Sequence, residues 1–149
     1  MEMTAVRLRQ GCRYALLLAA LLGAPSCQWA GDTGAAKASF AVIRQQIDDV
    51  SARITSAVQN GEADRIPALD RDMNAALDAA RNQSSAMNLL DREHLNINVA
   101  TAKQCLSGMD RYAQSGDNDL LRAQAAQLAP TVSEIRVLLD RADRIANSK

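Results

Sequence analysis

Residues 40–61 read FAVIRQQIDDVSARITSAVQNG, and this stretch decides the fold. Phe40, Ile43, Ile47, Val50, Ile54 and Ala57 or Val58 recur at alternating steps of three and four, which draws one narrow apolar stripe along a helix. Asn60-Gly61 ends it, because Gly tolerates the left-handed conformation that commonly follows a helix. A helix with one apolar stripe needs other stripes to cover it.

The rest of the chain supplies them. A second helix is predicted to begin near Asp64, a capping residue that places Pro67 in the first turn, where its missing N–H does least harm. Its stripe is Ile66, Leu69, Met73, Ala76 and Ala80, with Leu77 beside it, and the polar group Asn82-Gln83-Ser84-Ser85 breaks the pattern. A third helix starts at Ser85 or at Asp91, where Leu90 and Leu95 have the spacing of a hydrophobic staple. Its stripe runs from Leu95 through Val99, Ala102, Leu106, Met109 and Ala113 to a stop at Ser115-Gly116. Asp117 or Asp119 caps a fourth helix, carried by Leu121, Ala125, Leu128, Val132, Ile135, Leu139, Ala142 and Ala146. Pro130 interrupts that helix and Thr131-x-x-Glu134 offers a fresh cap, so a kink or a break is expected there. Four amphipathic helices with short turns specify an all-α chain, an antiparallel up-down-up-down four-helix bundle over residues 40–149.

Two of the turns look alike. Gln59-Asn60-Gly61-Glu62-Ala63-Asp64 matches Gln114-Ser115-Gly116-Asp117-Asn118-Asp119 at an offset of 55, which also lays Ile66 on Leu121 and Met73 on Leu128. Two readings stand side by side: a duplicated helical hairpin, or convergence on Gly followed by an acidic cap.

Ahead of the helices the chain changes character. Arg7, Arg9 and Arg13 precede an apolar run from Ala15 to Ala24, which leads into Ala24-Pro25-Ser26-Cys27. A basic flank, a short apolar core and small residues at a cleavage site make up an export signal, whereas a membrane-spanning helix needs roughly 20 apolar residues. Residues 1–26 are therefore expected to be a cleaved signal peptide. Residues 27–39, rich in Gly, Ala and Ser, read as a flexible tether.

The residues before Cys27 resemble a bacterial lipoprotein signal, in which a small residue precedes a cysteine that is acylated and becomes the new N-terminus. Ser26 and Cys27 fit that pattern, while Ala24 stands where the family usually has Leu and Pro25 is an unusual neighbour. The resemblance implies lipidation at Cys27 and anchorage to the envelope. Ordinary signal peptidase would also accept Ala24 and Ser26, and would expose the same cysteine. Gln28 is not the Asp that retains some lipoproteins in the inner membrane, so the resemblance points to the outer membrane.

Seventeen basic residues balance 17 acidic ones in the whole chain, and loss of Arg7, Arg9, Arg13 and Glu2 with the signal leaves 14 against 16. A slightly acidic surface offers no footprint for nucleic acid, which needs a basic patch to displace counterions. Of three cysteines, Cys12 leaves with the signal and Cys105 falls in an apolar helical stretch as a small core residue. Were Cys27 not acylated, a Cys27–Cys105 disulfide would be open to an exported chain.

Chemistry-bearing constellations are sparse. His94 is the sole histidine, with Asp91 three residues before it, but a tight metal site needs three or four ligands and neither residue lies on the stripe that begins at Leu95. Carboxylate-bridged di-iron bundles require two Glu-x-x-His motifs, and Glu62, Glu93 and Glu134 do not precede a His at that spacing. In helical architecture the mature chain is loosely similar to the cytochrome b562 family, which holds haem with a Met in its first helix and a His near the end of its last. The first helix here has no Met and the last reads Asp140-Arg141-Ala142-Asp143-Arg144, so a shape is carried over and no ligands. Met73, Met87 and Met109, with His94 and Cys105, could be arranged around copper, but Met73 and Met109 fall on core stripes. Ser84, Ser85 and Ser107 near His94 lack the strand-turn-helix elbow and oxyanion loop of a nucleophile, and no phosphate-cradling Gly-Lys motif occurs. Charged pairs such as Asp49 with Arg53 and Asp140 with Arg144 have the i to i+4 spacing of solvated helix faces.

The expectation is a non-enzymatic envelope lipoprotein, without catalytic residues, metal or cofactor, that binds a protein partner as an adaptor, inhibitor or immunity-type protein. The alternative is a periplasmic carrier of haem, metal or another small ligand, with Ala57, Ala76, Ala80, Ala102 and Ala125 leaving room between the helices.

Overall fold

A computed structural model of the chain describes residues 39–148. The signal segment, Cys27 and all of the tether but Ser39 lie outside the described residues, as does Lys149. The described residues form four α-helices: α1 (Phe40–Asn60), α2 (Ile66–Gln83), α3 (Leu89–Ser115) and α4 (Asn118–Asn147). Single 3₁₀ turns, Ala63–Arg65 and Ser84–Ala86, flank α2.

Each helix packs on its neighbour in the chain, and α4 also packs on α1. The stripes face inward as their spacing demands. Phe40, Ile43, Ile47, Val50, Ile54, Ala57 and Val58 are all buried on α1, and Ile66, Leu69, Met73, Ala76, Leu77 and Ala80 on α2. On α3, Leu95, Val99, Ala102, Leu106 and Met109 are buried, and Cys105 joins them as a small core residue. On α4 the stripe holds from Leu121 to Ala142, with Leu138 added, but Ala146 is exposed because the last turn extends past its neighbours' core.

The two glycine stops are built alike. Gly61 and Gly116 take φ of 72° and 74°, the left-handed region that suits Gly. After α1, the Glu62 N–H donates to the Ala57 carbonyl at 2.8 Å and the Gly61 N–H to Val58 at 3.4 Å. After α3, Asp117 donates to Tyr112 at 3.0 Å and Gly116 to Ala113 at 3.3 Å, the same Schellman pair displaced by 55 residues. Beyond the glycines the hairpins diverge. Asp117 caps α4 at once, its carboxylate accepting from the Leu120 N–H at 3.0 Å. After Gly61 the chain makes a 3₁₀ turn first, so Asp64 lies inside that turn and makes no capping bond.

Other helix starts also differ from expectation. The third helix begins neither at Ser85 nor at Asp91 but at Leu89, with Asn88 as its cap. Leu90 thereby becomes the second helical residue and is 60% exposed, so it forms no staple with Leu95. Helix α4 runs unbroken through Pro130. A proline frees the carbonyl four residues earlier, here Ala126, and both residues are exposed, where water can satisfy it. Thr131 starts no new helix, since its hydroxyl donates back to the Gln127 carbonyl at 3.5 Å.

Nor do Asp49 with Arg53 or Asp140 with Arg144 pair along their own helices. Arg53 pairs with Asp72 of α2 at 3.1 Å, Lys103 of α3 with Asp78 of α2 at 2.6 Å, and Arg44 with Asp140 of α4. One turn further along α1, Asp48 meets Arg136, one turn back along α4, at 2.6 Å. Asp49 instead accepts from Gln45 at 2.9 Å.

A Cβ added at Gly61 or Gly116 would meet nothing within 4 Å, so only backbone strain opposes a substitution there. Gly61→Ala and Gly116→Ala should each lower stability by about 1 kcal/mol, and the double variant by about 2 kcal/mol, in urea unfolding.

Candidate functional site

The one buried charged residue among the described residues is Asp91, 4% exposed, in the first turn of α3. It lies four residues before Leu95, which extends the buried stripe by one turn, contrary to the expectation that the stripe begins at Leu95. Its carboxylate is held on both sides. Asn88 Nδ2 donates to Asp91 Oδ2 at 2.7 Å and Arg141 Nη1, from α4, donates to Oδ1 at 2.7 Å. In return the Asp91 backbone N–H donates to Asn88 Oδ1 at 2.9 Å. Asn88 is thus both helix cap and carboxylate donor, and the N-terminal end of the α3 dipole adds a favourable field for the negative charge.

Ala86, Met87, Asn88, Asp91, Ala142 and Ile145 line a recess of about 240 Å³ at this point. It joins three elements: the turn after α2, the start of α3 and the end of α4. Half-buried Met87 packs against the core, while Ile145 is largely exposed. The arrangement can hold a polar group against the Asn88 amide beside apolar walls. Both carboxylate oxygens accept hydrogen bonds, so Asp91 is oriented by its neighbours.

Helix geometry separates the sequence's candidate ligands. His94 is exposed whereas Asp91 is buried, so the Asp-x-x-His pair does not converge. Met73 and Met109 are fully buried in the core, and Met87 sits at the recess. Among the described residues no group of three or more His, Cys, Asp or Glu side chains is placed to hold a metal ion. Ser84 is buried and its hydroxyl donates to the Arg81 carbonyl at 2.6 Å, which commits it to the end of α2. Ala57, Ala76, Ala80 and Ala102 are buried, while Ala125 is only partly so. Sequence reasoning missed Arg141 as a partner of Asp91, because 50 residues separate them. The Asn88-x-x-Asp91 spacing of a helix start was the available signal.

A second polar seam joins α2 and α3. Burial and the nearby Asp110 carboxylate raise the pKa of Asp70, against a hydrogen bond from Asn74 and the charge of Lys103. The Asn74 amide donates to Asp70 Oδ1 at 2.9 Å, and Gln114 donates to Asp110 Oδ2 at 2.7 Å. In the turn between α1 and α2, the Arg65 hydrogen bond lowers the pKa of Glu62, a surface group. Two further recesses are open: about 390 Å³ between α1 and α2, over Arg53 and Asp72, and about 480 Å³ between α1 and α4, beside Ser51, Thr55 and Arg136.

No known protein family matches the chain, and no curated protein or solved structure matches it either. Among the described residues no helix is long and apolar enough to cross a membrane.

Three substitutions test the electrostatics. Arg141→Leu leaves the buried Asp91 carboxylate without its cation, and should lower stability at neutral pH by about 1–3 kcal/mol. Asp91→Leu combined with Arg141→Leu should recover part of that loss in a double-mutant cycle. For Asp70 the folded pKa lies above the unfolded value, so the folded state holds its proton longer and stability falls as pH rises through that window. Asp70→Asn should therefore stabilise the domain at pH 7, by less than about 1 kcal/mol because solvent screens the exposed part of the pair. The gain should disappear in thermal melts below about pH 4, where the unfolded chain also binds the proton.

Proposed function

We propose that this chain is a non-enzymatic cell-envelope lipoprotein whose helical domain binds a protein partner. In this reading residues 1–26 are removed on export, Cys27 carries the acyl anchor and residues 27–39 tether the domain at the periplasmic face of the outer membrane. The domain is then an antiparallel up-down-up-down four-helix bundle. The stepwise pairing of Arg44 with Asp140 and Asp48 with Arg136 supports opposite directions for α1 and α4. Asp91 with Arg141, and Gly108 beneath the Gln124 side chain, support the same for α3 and α4.

The observation that carries the binding role is apolar exposure on adjacent helices. Ile97 on α3 is 63% exposed and Val137 on α4 is 48% exposed. In the register set by the Asp91–Arg141 and Gly108–Gln124 contacts they lie within a turn of each other along the two axes. Aliphatic side chains left in water on neighbouring helices suit a helix or loop of another protein, and a specific complex buries about 800 Å² per partner. Partner identity would decide between an adaptor and an inhibitor.

Crosslinking in native envelopes, followed by capture of the full-length protein and mass spectrometry, is the direct test. One stoichiometric protein partner together with an acylated Cys27 peptide is expected. Cys27→Ser should release the protein from the membrane fraction, and Ile97→Asp with Val137→Asp should lose the partner by at least about tenfold in yield, given the typical cost of losing a buried interface anchor. An unmodified N-terminus with no partner would refute the proposal.

A further inference from the structure

The polypeptide enters the described domain at Ser39, and the ion pairs fix what lies beside that entry. Arg44, in the second turn of α1, meets Asp140, and Asp140's neighbour Arg141 holds Asp91 at the start of α3. The 3₁₀ turn after α2 joins them, since Ala86 and Ile145 line one recess. The start of α1, the end of α2, the start of α3 and the end of α4 therefore share one end of the domain.

Exposed aliphatic side chains concentrate at that end, among polar ones such as Asn88 and Arg144. Seven large aliphatic side chains are exposed among the described residues, and four belong to these terminal turns: Val42 (48%), Leu89 and Leu90 (60% each) and Ile145 (45%). The opposite end is made of Asn60, Gly61, Glu62, Asp64 and Arg65 in one turn, and Ser115, Gly116, Asp117, Asn118 and Asp119 in the other. Leu120 is the exposed aliphatic residue there. Nothing in the capping of α3 requires two leucines at its first positions, because Asn88 and Asp91 supply the polar contacts.

We infer that this end of the domain seats on a lipid surface, with Val42, Leu89, Leu90 and Ile145 in the boundary between headgroups and acyl chains. The inference rests on the envelope-anchor reading. Eleven residues lie between Cys27 and Ser39, so an anchor at Cys27 keeps the entry within at most about 40 Å of the bilayer. The α3 axis extends about 40 Å beyond, which carries the polar turns away from the lipid. Tethering raises the effective concentration of the apolar end at the membrane, so even shallow insertion of four aliphatic side chains is favoured. The Asp91 carboxylate does not oppose this, because Asn88 and Arg141 already satisfy both of its oxygens.

The test uses the full chain, processed and acylated in a bacterial host and reconstituted into phosphatidylethanolamine–phosphatidylglycerol vesicles with and without brominated acyl chains. Trp29→Phe removes the sole tryptophan. Leu90→Trp, Ile145→Trp and Leu120→Trp then place one reporter each at exposed positions. Brominated lipid should quench Leu90→Trp and Ile145→Trp at least about twofold more than Leu120→Trp, as insertion of 5–10 Å would require. Vesicle-bound protein with equal, weak quenching at all three positions would overturn the inference and leave the anchor reading standing. A blue-shifted but unquenched signal at residues 90 and 145 would overturn it in favour of a second copy covering that end. Failure to float with the vesicles would overturn the anchor reading and this inference together.

Discussion

Burial of a narrow aliphatic stripe on each of four helices is the constraint from which the rest of this structure follows. Among the described residues Phe40 is the sole aromatic side chain in the buried core, so Ile, Leu, Val, Met and Ala fill most of the interior. Ile43, Ile47, Leu69, Met73, Leu95, Leu106, Met109, Ile135 and Leu139 are almost wholly withdrawn from water. Full burial of such a side chain contributes roughly 1.5–3 kcal/mol against the entropy of ordering it. Contact of α1 with both α2 and α4 gives its stripe cover from two sides.

Apolar packing is tolerant of sliding, and polar contacts restrict it. Arg44–Asp140 with Asp48–Arg136 ties α1 to α4, Arg53–Asp72 ties α1 to α2, and Lys103–Asp78 ties α2 to α3. These pairs are half-exposed, so each contributes little net stability. Their effect is on register, because a helix displaced by one turn would lose its partners. Asp91 is different in kind: buried at the end of a stripe, it makes removal of Arg141 costly and fixes the start of α3 against the end of α4. Gly108, where the Gln124 side chain lies 3.1 Å from where a Cβ would sit, marks a close approach of the same two helices nearer their other ends.

The helices were legible because a spacing of three and four residues is a local property, and the stripes of α1 and α2 were legible in full. Both glycine stops were legible for the same reason. Boundaries governed by competition between nearby polar groups were not: Asn88 rather than Ser85 or Asp91 caps α3, and a 3₁₀ turn displaces Asp64 from its expected role. Pro130 suggested a kink or a break, yet α4 continues through it, with Pro130 and Ala126 both exposed. Of the candidate site, Met73, Met109 and Cys105 could be assigned to the core from spacing, whereas the union of Asp91 with Arg141 could not.

By itself, then, the sequence determined that the chain is helical, where its apolar stripes run and where Gly61 and Gly116 stop the helices, because these depend on side chains within a few residues of one another. Only the tertiary structure decided which charges meet. Arg53 had Asp49 one turn away and pairs with Asp72, and Arg144 had Asp140 one turn away while Asp140 pairs with Arg44. It also decided that Asp91 is buried and held by Arg141. Those outcomes depend on how neighbouring helices are aligned, a relation between residues up to 96 positions apart that no local spacing encodes.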